Sequence, residues 1–494
     1  MRSALALVLP LCLACAFAGA GSAARVRPEV LYSVGYATQR DLTDAVAGRG
    51  VIVRRIPALH VAEVRLRPDA PVLARSPGIH YVQRVLSRRS AVEPALLAMP
   101  GASVPFEWEY GAVHEDAVPA SVLRAASSVT IAVIDTGADL TAPDLAAKSP
   151  QTYNVETHGT DVTDVNGHGT FVSSLAAGSV TNGDGIAGFG GDAKLLVIKA
   201  SSDNGELSDV DEANAIVYAV DHGAKVINLS AGGPTTSYTE RSAIEYAAAH
   251  DVLIVAAAGN EFEDGDPIEF PAALLQPIGS YGKGGTGLAV GASTFDGTRA
   301  FFSNTGSQLS LVAPGENVFA DVSSLSSTEE YPRTLLPGDT GGSYGFASGT
   351  SFSAPEVAGA AALVMAANPL LHATTVAQIL KQSAGGHGSW NASMGYGVLD
   401  AAAAVAAAQS RAAITMSATR VSTTRVRLTW TSTGSGPYRV TVRVDGGAKR
   451  VVVATTTKTT ALVAVRRKHR YVFSVSLLSS TGVATASSSA SIKT

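Results

Sequence analysis

With 494 residues and 46% hydrophobic content, the chain has the composition of a globular protein and room for two to four domains. No run of about 18 apolar residues follows the N-terminal stretch, so no internal membrane span is expected. The net charge of −4 conceals three regimes: +7 over residues 1–104, −24 over 105–410 and +13 over 411–494, which implies three domains and gives no reason to expect a nucleic-acid partner.

Residues 1–24 open with Arg2, continue through apolar Ala4–Ala20 and close on Ser22-Ala23-Ala24, the pattern of a removable export signal. Both cysteines, Cys12 and Cys15, lie inside it, so the exported protein is expected to carry no thiol and no disulfide. Residues 29–86 read as a small α+β module, with strands at Val30–Val34, Val51–Ile56, Val61–Leu66 and Ile79–Val82, a helix at Thr38–Gly48 and a Pro-rich helical region before the last strand.

From 105 to 410 the periodicity alternates. Val129–Ile134, Lys194–Lys199, Lys225–Leu229, Val252–Ala257 and Leu288–Val290 are short apolar runs suited to strands buried on both faces. Ser208–His222, Tyr238–His250, Ser353–Ala367 and Thr374–Ser383 have helical spacing. An α/β parallel sheet with helices on both faces is predicted, with functional residues at strand carboxyl ends and on loops. Glu316–Tyr344, rich in Ser, Gly and acidic residues, reads as a surface loop. A bridge at 407–414 leads to residues 411–494. There, alternation over Val426–Trp430, Tyr438–Val444, Val451–Ala454, Thr460–Val465 and Tyr471–Leu477 predicts an antiparallel β-sandwich.

Three motifs in the middle region carry chemistry. Asp135 ends Ile131-Ala132-Val133-Ile134-Asp135, His168 sits in Gly167-His168-Gly169-Thr170, and Ser351 in Gly349-Thr350-Ser351-Phe352-Ser353-Ala354-Pro355. Alone, each has a plain explanation: an Asp after a strand makes turns, and a serine before an apolar run caps helices. Together they supply the nucleophile, base and orienting carboxylate of acyl transfer.

In this order the motifs resemble the subtilisin-like serine proteases (subtilases, peptidase family S8), whose Asp, His, Ser order is known. The resemblance covers about 105–408 and extends to three more segments: Asn228-Leu229-Ser230-Ala231-Gly232-Gly233, Ala257-Ala258-Gly259-Asn260 and Gly395-Tyr396-Gly397-Val398-Leu399-Asp400-Ala401. It implies a serine endopeptidase acting on proteins or peptides through an acyl-enzyme, with Asn260 in the oxyanion hole. It also implies that Ser230, Ala231, Gly232, Ala257, Ala258 and Gly259 bind substrate.

By the same resemblance, residues 25–104 are an inhibitory propeptide, making the chain a self-processed zymogen. The cut falls either at Arg88-Arg89-Ser90 or nearer 100–105, before Trp108-Glu109-Tyr110-Gly111. Trp430 and Tyr471-Val472-Phe473 resemble landmarks of a fibronectin type III domain. Glu269 stands where the base of the primary pocket is expected, with Glu261 at its rim, so it either favours Lys or Arg substrates or is a solvated loop residue. Asp144 and Asn182 match a family calcium site, although turn formation explains the same residues. Glu356 departs from the family, where histidine is usual.

The basic tail, with Arg466-Arg467-Lys468-His469-Arg470, either docks to a polyanionic surface such as a cell envelope, or forms a solvated face or rests on the acidic middle domain. A monomeric extracellular enzyme is expected. Two other readings remain: a silent adhesion protein on the same scaffold, and a serine carboxyl peptidase, which would need Glu in place of His168.

Overall fold

The computed structural model describes residues 30–67, 73–89, 106–182, 185–328, 330–334, 343–412, 414–434, 436–479 and 481–494. The expected export signal with both cysteines, most of the Pro-rich region and the 100–105 cut site lie outside them.

Seven parallel strands form the central sheet, in the order Leu311–Pro314, Leu288–Ser293, Leu253–Ala257, Val226–Leu229, Thr130–Asp135, Lys194–Lys199, Gln151–Asn154. Alternation along a strand decides which core each side chain enters. Ile131 and Val133 join the larger core, with the helices His168–Ala177, Thr350–Ala367, Ala373–Ser383 and Ala401–Ser410. Ala132 and Ile134 face the opposite core, with the helices Asp209–Asp221 and Tyr238–Ala249. Helices therefore cover both faces, as the apolar runs predict. The two edge strands, Gln151–Asn154 and Leu311–Pro314, were not foreseen. The 18-residue helix Thr350–Ala367 is apolar and long enough to cross a membrane by composition, but it is buried in the larger core.

The chain leaves the Thr130–Asp135 strand toward one edge of the sheet, and Val226–Leu229 later pairs with that strand's other side. Such a reversal opens a crevice at the carboxyl ends of the two strands, where ligands bind in open α/β sheets.

Glu316–Tyr344 differs from the surface loop expected. Val318–Asp321, Arg333–Thr334 and Tyr344–Ala347 form a three-stranded sheet, and Phe319, Tyr331 and Tyr344 are buried. The aromatic residues among the Ser and Gly explain the difference, because they give this stretch a core to join.

Residues 30–89 form a four-stranded antiparallel sheet in the order Gly50–Ile56, Val61–Leu66, Val30–Tyr36, Ile79–Arg84, with the helix Gln39–Val46 capped by Thr38. This module docks on the first turns of Asp209–Asp221 and Tyr238–Ala249. Ile56 and Val61 enter the second core, the Tyr81 hydroxyl lies 3.0 Å from Thr239 Oγ1, and Arg54 pairs with Asp211. Its final strand, Ser87–Arg89, pairs antiparallel with Glu206–Ser208.

Residues 414–493 form two antiparallel sheets of three and four strands around Trp430, Val440, Tyr471 and Phe473. The sandwich gains two strands that the sequence reading missed, Ile414–Ser422 and Ala484–Lys493. The helix Ala401–Ser410 occupies the first part of the expected bridge.

Candidate active site

Asp135 is the last residue of its strand, at the crevice. Its Oδ1 lies 2.7 Å from His168 Nδ1 and also accepts the Thr136 N–H at 2.7 Å. Both side chains are buried, so the pair is shielded from water and its electrostatic coupling is strong. Burial alone would lower the imidazole pKa, but the Asp135 charge and hydrogen bond, with Asp164 and Glu330 nearby, raise it above 6.5. Among the described residues, His168 Nε2 has no hydrogen-bond partner.

His168 begins its helix, and the residue that holds this helix start was missed in the sequence. Asp164 Oδ1 accepts Thr136 Oγ1–H (2.8 Å) and Gly167 N–H (2.9 Å), while Oδ2 accepts Thr170 N–H (2.8 Å) and Oγ1–H (2.6 Å). One buried carboxylate thus ties the Asp135 strand end to the His168 helix. The signal was an Asp three residues before the Gly-His-Gly motif, at cap spacing.

Ser351 lies in the first turn of Thr350–Ala367, where main-chain N–H groups have no intrahelical acceptor. Its hydroxyl donates to the Ser230 carbonyl at 3.1 Å, and Ser230 Oγ donates back to the Ser351 carbonyl at 2.7 Å. Asn228 Nδ2 supports Ser230 Oγ at 2.9 Å. The loop after Val226–Leu229 is thereby locked to the helix that carries Ser351.

Asn260 Oδ1 accepts both the N–H and the Oγ1–H of Thr350, each at 2.8 Å. The oxygen end of the amide is fixed on Thr350, so the nitrogen end is the one able to donate. Gly259 must be glycine: its φ is +104°, and a Cβ there would lie 2.3 Å from Asn304 Nδ2 and 2.6 Å from Glu269 Cγ.

A cavity of about 560 Å³ adjoins these groups, bounded by Ala231, Gly232, Ala257, Gly259, Glu269 and Ser351. Ala258, grouped with its neighbours in the sequence reading, instead packs with Leu309 and Val312, because alternation turns it away from the cavity. Glu269 is largely buried, and burial, then the Glu261 charge, raise its pKa to about 7, with Arg88 opposing. A solvated loop position does not describe it. Glu261 Oε2 accepts the Asn260 N–H at 2.8 Å and Asn304 Nδ2–H at 3.1 Å.

Asp144 and Asn182 do meet, but through a nitrogen. Asn182 Nδ2 donates to Asp144 Oδ1 at 2.6 Å, while Asp144 Oδ2 accepts Ile186 N–H at 3.2 Å and Tyr344 O–H at 3.1 Å. Calcium needs about six to eight converging oxygens, whereas here N–H and O–H donors converge on Asp144, with the buried Asp321 carboxyl beside it as a second acid, so the side chains as arranged do not present an oxygen cage for the ion. No cluster of three or more acidic, His or Cys ligands occurs among the described residues.

A hydrogen-bonded acid–imidazole pair and a serine at a helix N-terminus, on loops of one parallel α/β sheet, define a serine hydrolase. The comparisons narrow the class. Residues 126–397 match the Peptidase_S8 subtilase family. An alkaline protease of Alkalihalobacillus alcalophilus is 32% identical over 354 residues, covering 72% of this chain and 81% of the relative. A thermophilic serine proteinase of Bacillus sp. (strain AK1) is 37% identical over 243 residues, covering 49% of this chain and 53% of the relative, about half its length. Among solved structures, fervidolysin from Fervidobacterium pennivorans, described as a keratinolytic enzyme related to subtilisin, shares the fold with a TM-score of 0.64 at 22% identity. That match covers 94% of this chain and 76% of that one. The chain belongs to the subtilase family of serine endopeptidases.

Proposed function

We propose that the protein is an exported serine endopeptidase made as a self-processed zymogen, in which Ser351, His168, Asp135 and Asn260 perform acyl transfer. The observation that carries this reading is the buried Asp135–His168 bond at 2.7 Å, with the far imidazole nitrogen unengaged among the described residues. Asp135 holds Nδ1–H and so makes Nε2 the basic nitrogen. In the reactive state Ser351 Oγ attacks the scissile carbonyl while Nε2 takes its proton, then returns it to the leaving amine. The oxyanion is met by Asn260 Nδ2–H and the Ser351 main-chain N–H. A donor of this kind contributes about 2.7–4 kcal/mol to the barrier reduction. The acyl-enzyme is then hydrolysed by water along the same route.

The docked module supports the zymogen reading. Arg89 N–H donates to the Gly232 carbonyl at 3.0 Å and Gly232 N–H to the Arg89 carbonyl at 2.9 Å, so the end of the module lies along the loop that would bind substrate main chain. Glu269 lends no support to the dibasic reading of the cut. The Arg88 guanidinium pairs with Glu240 and Glu212, and that of Arg89 with Glu206, not with Glu269. Export through residues 1–24 and a fibronectin type III-like role for 414–493 belong to the same proposal; the three-plus-four arrangement of the sandwich around Trp430 and Tyr471 supports the latter. Because both oxygens of Asp144 already accept hydrogen bonds and no cluster of three or more ligating acids occurs among the described residues, chelation is expected to leave the Tm unchanged in a thermal scan.

The test is covalent labelling with a fluorophosphonate probe, with the labelled peptide read by mass spectrometry. Label on Ser351, lost in Ser351→Ala along with about a millionfold of turnover, is the expected result. Peptide hydrolysis that persists in Ser351→Ala would end the reading.

A further inference from the structure

Arg88 is the largest fully buried side chain among the described residues, yet it belongs to the docked module and its partners do not. Its Nη2 donates to Glu240 Oε1 at 2.8 Å, and its Nε lies 3.6 Å from Glu212 Oε2. Asp209 lies near enough for its charge to act on Arg88, and its Oδ1 accepts the Leu86 N–H at 2.9 Å. All three acids occupy the first turns of Asp209–Asp221 and Tyr238–Ala249, within the 126–397 family match.

Three buried carboxylates around one guanidinium are costly unless a cation is present. Neither oxygen of Glu212 has another hydrogen-bond partner among the described residues. Burial, then the neighbouring Glu240 charge, pushes the Glu212 pKa well above the usual carboxylate range, with Arg88 opposing. A slot built only to hold the module in place could have been apolar, at less cost. This one is built for positive charge.

The main-chain register says which substrate residue would enter it. Arg88 pairs with Leu207 on one side, and Arg89 with Gly232 on the other. Two residues before Gly232 is Ser230, whose carbonyl is 3.1 Å from Ser351 Oγ. In an antiparallel pairing, a residue two before Gly232 opposes a residue two after Arg89. A peptide bound in this register therefore meets Ser351 at the bond after residue 91, which makes Arg88 the fourth residue before that bond.

We propose that Asp209, Glu212 and Glu240 form a cation-accepting subsite that selects arginine four residues before the bond cleaved, and that Arg88 is its first occupant during self-processing. This rests on Ser351 being the nucleophile, as proposed above. Arginine suits the slot better than lysine, because its planar fork can address two carboxylates at once while the lysine ammonium is a point charge.

The test uses the self-processed enzyme and matched peptides that differ only at the fourth residue before the cleaved bond: Arg, Lys, Leu or citrulline, the uncharged isostere of Arg. The expected kcat/KM for Arg exceeds that for citrulline and Leu by about a hundredfold, with Lys between. Glu240→Gln should cut the Arg-to-citrulline ratio of kcat/KM at least tenfold. Should that variant fail to fold, Glu212→Gln gives the same readout, and the citrulline series on the unaltered enzyme stands without either. Mass analysis of the first released leader should give a chain ending at residue 91. An enzyme that takes the Ser351 label but cuts Arg and citrulline peptides equally, or releases a leader ending elsewhere, overturns the subsite and leaves the endopeptidase reading intact. An enzyme that neither labels nor cuts overturns both.

Discussion

At His168, burial works against the imidazolium, while the Asp135 carboxylate at 2.7 Å and the charges of Asp164 and Glu330 favour it, and the balance lies above the ordinary imidazole value of 6.5. Catalysis needs the neutral ring, so activity is present above this pKa and lost as pH falls through it. The acidic limb of the kcat/KM profile is expected above pH 6.5, and a limb near pH 5 would contradict the buried pairing. Glu269 titrates in the same region, at about 7, and only its ionised form attracts a substrate cation. Preference for Lys or Arg beside the scissile bond over Phe or Leu should therefore grow as pH rises from 6 to 8. In Glu269→Gln that growth should vanish and the preference itself should fall, as measured by paired peptide substrates. At this scale the sequence was highly legible for Asp135, His168, Ser351 and Asn260, because each lies in a short contiguous motif at a strand or helix end. Asp209, Glu212 and Glu240 were illegible as a set. Acidic residues in the first turn of a helix ordinarily complement its dipole, and nothing local shows that two separate helices aim theirs at one point.

The helix Thr350–Ala367 must be buried on all sides to hold Ser351 in the crevice, and its small side chains allow this. Glu356 is the exception. It is fully buried with neither oxygen partnered among the described residues, and burial, followed by the charges of Glu109 and Glu115, raises its pKa well above 4.5. The folded protein keeps that proton, whereas the unfolded chain releases it above about pH 4.5, so stability falls as pH rises from there toward the folded pKa. Glu356→Gln removes the penalty. Its Tm should match the parent near pH 4 and exceed it at pH 9 by about 2–4 °C per 1 kcal/mol relieved. A Tm difference independent of pH would show that the carboxyl is not the cause. Helices and inner strands were readable from periodicity to within a few residues. The edge strands were not, because Gln151–Asn154 and Leu311–Pro314 are only four residues long. The sheet within 318–347 was hidden by a composition that otherwise marks loops.

The whole molecule is organised by charge as well as by packing. A module from the basic N-terminal region sits on acidic helix starts of the middle domain, with Arg54 on Asp211 and Arg88 on Glu240, and a basic sandwich follows. The charge segmentation in the sequence implied three domains but gave no sign that a single arginine of the N-terminal module would be buried against the middle region. Residues 411–494 carry 14 basic residues and one acidic residue, Asp445, which accepts the Arg470 N–H at 2.8 Å. Docking to a polyanionic surface is one of the readings of this charge, beside a solvated face or contact with the acidic middle region, and salt tests it. The full chain should bind an anionic polysaccharide matrix and elute as salt approaches about 0.5 M, where the screening length is only a few ångströms. Deletion of 411–494 should abolish retention without altering peptide hydrolysis, and undiminished retention would place the binding elsewhere.

The slot that holds Arg88 recognises a flat cation, and common laboratory reagents contain the same ion. Guanidinium chloride or free arginine, added far below unfolding concentrations, would compete for Glu212 and Glu240, whereas urea, which is uncharged, would not. Assay buffers chosen for solubility would then act as competitive inhibitors, and the enzyme would look slower in arginine than in any other stabiliser of equal ionic strength.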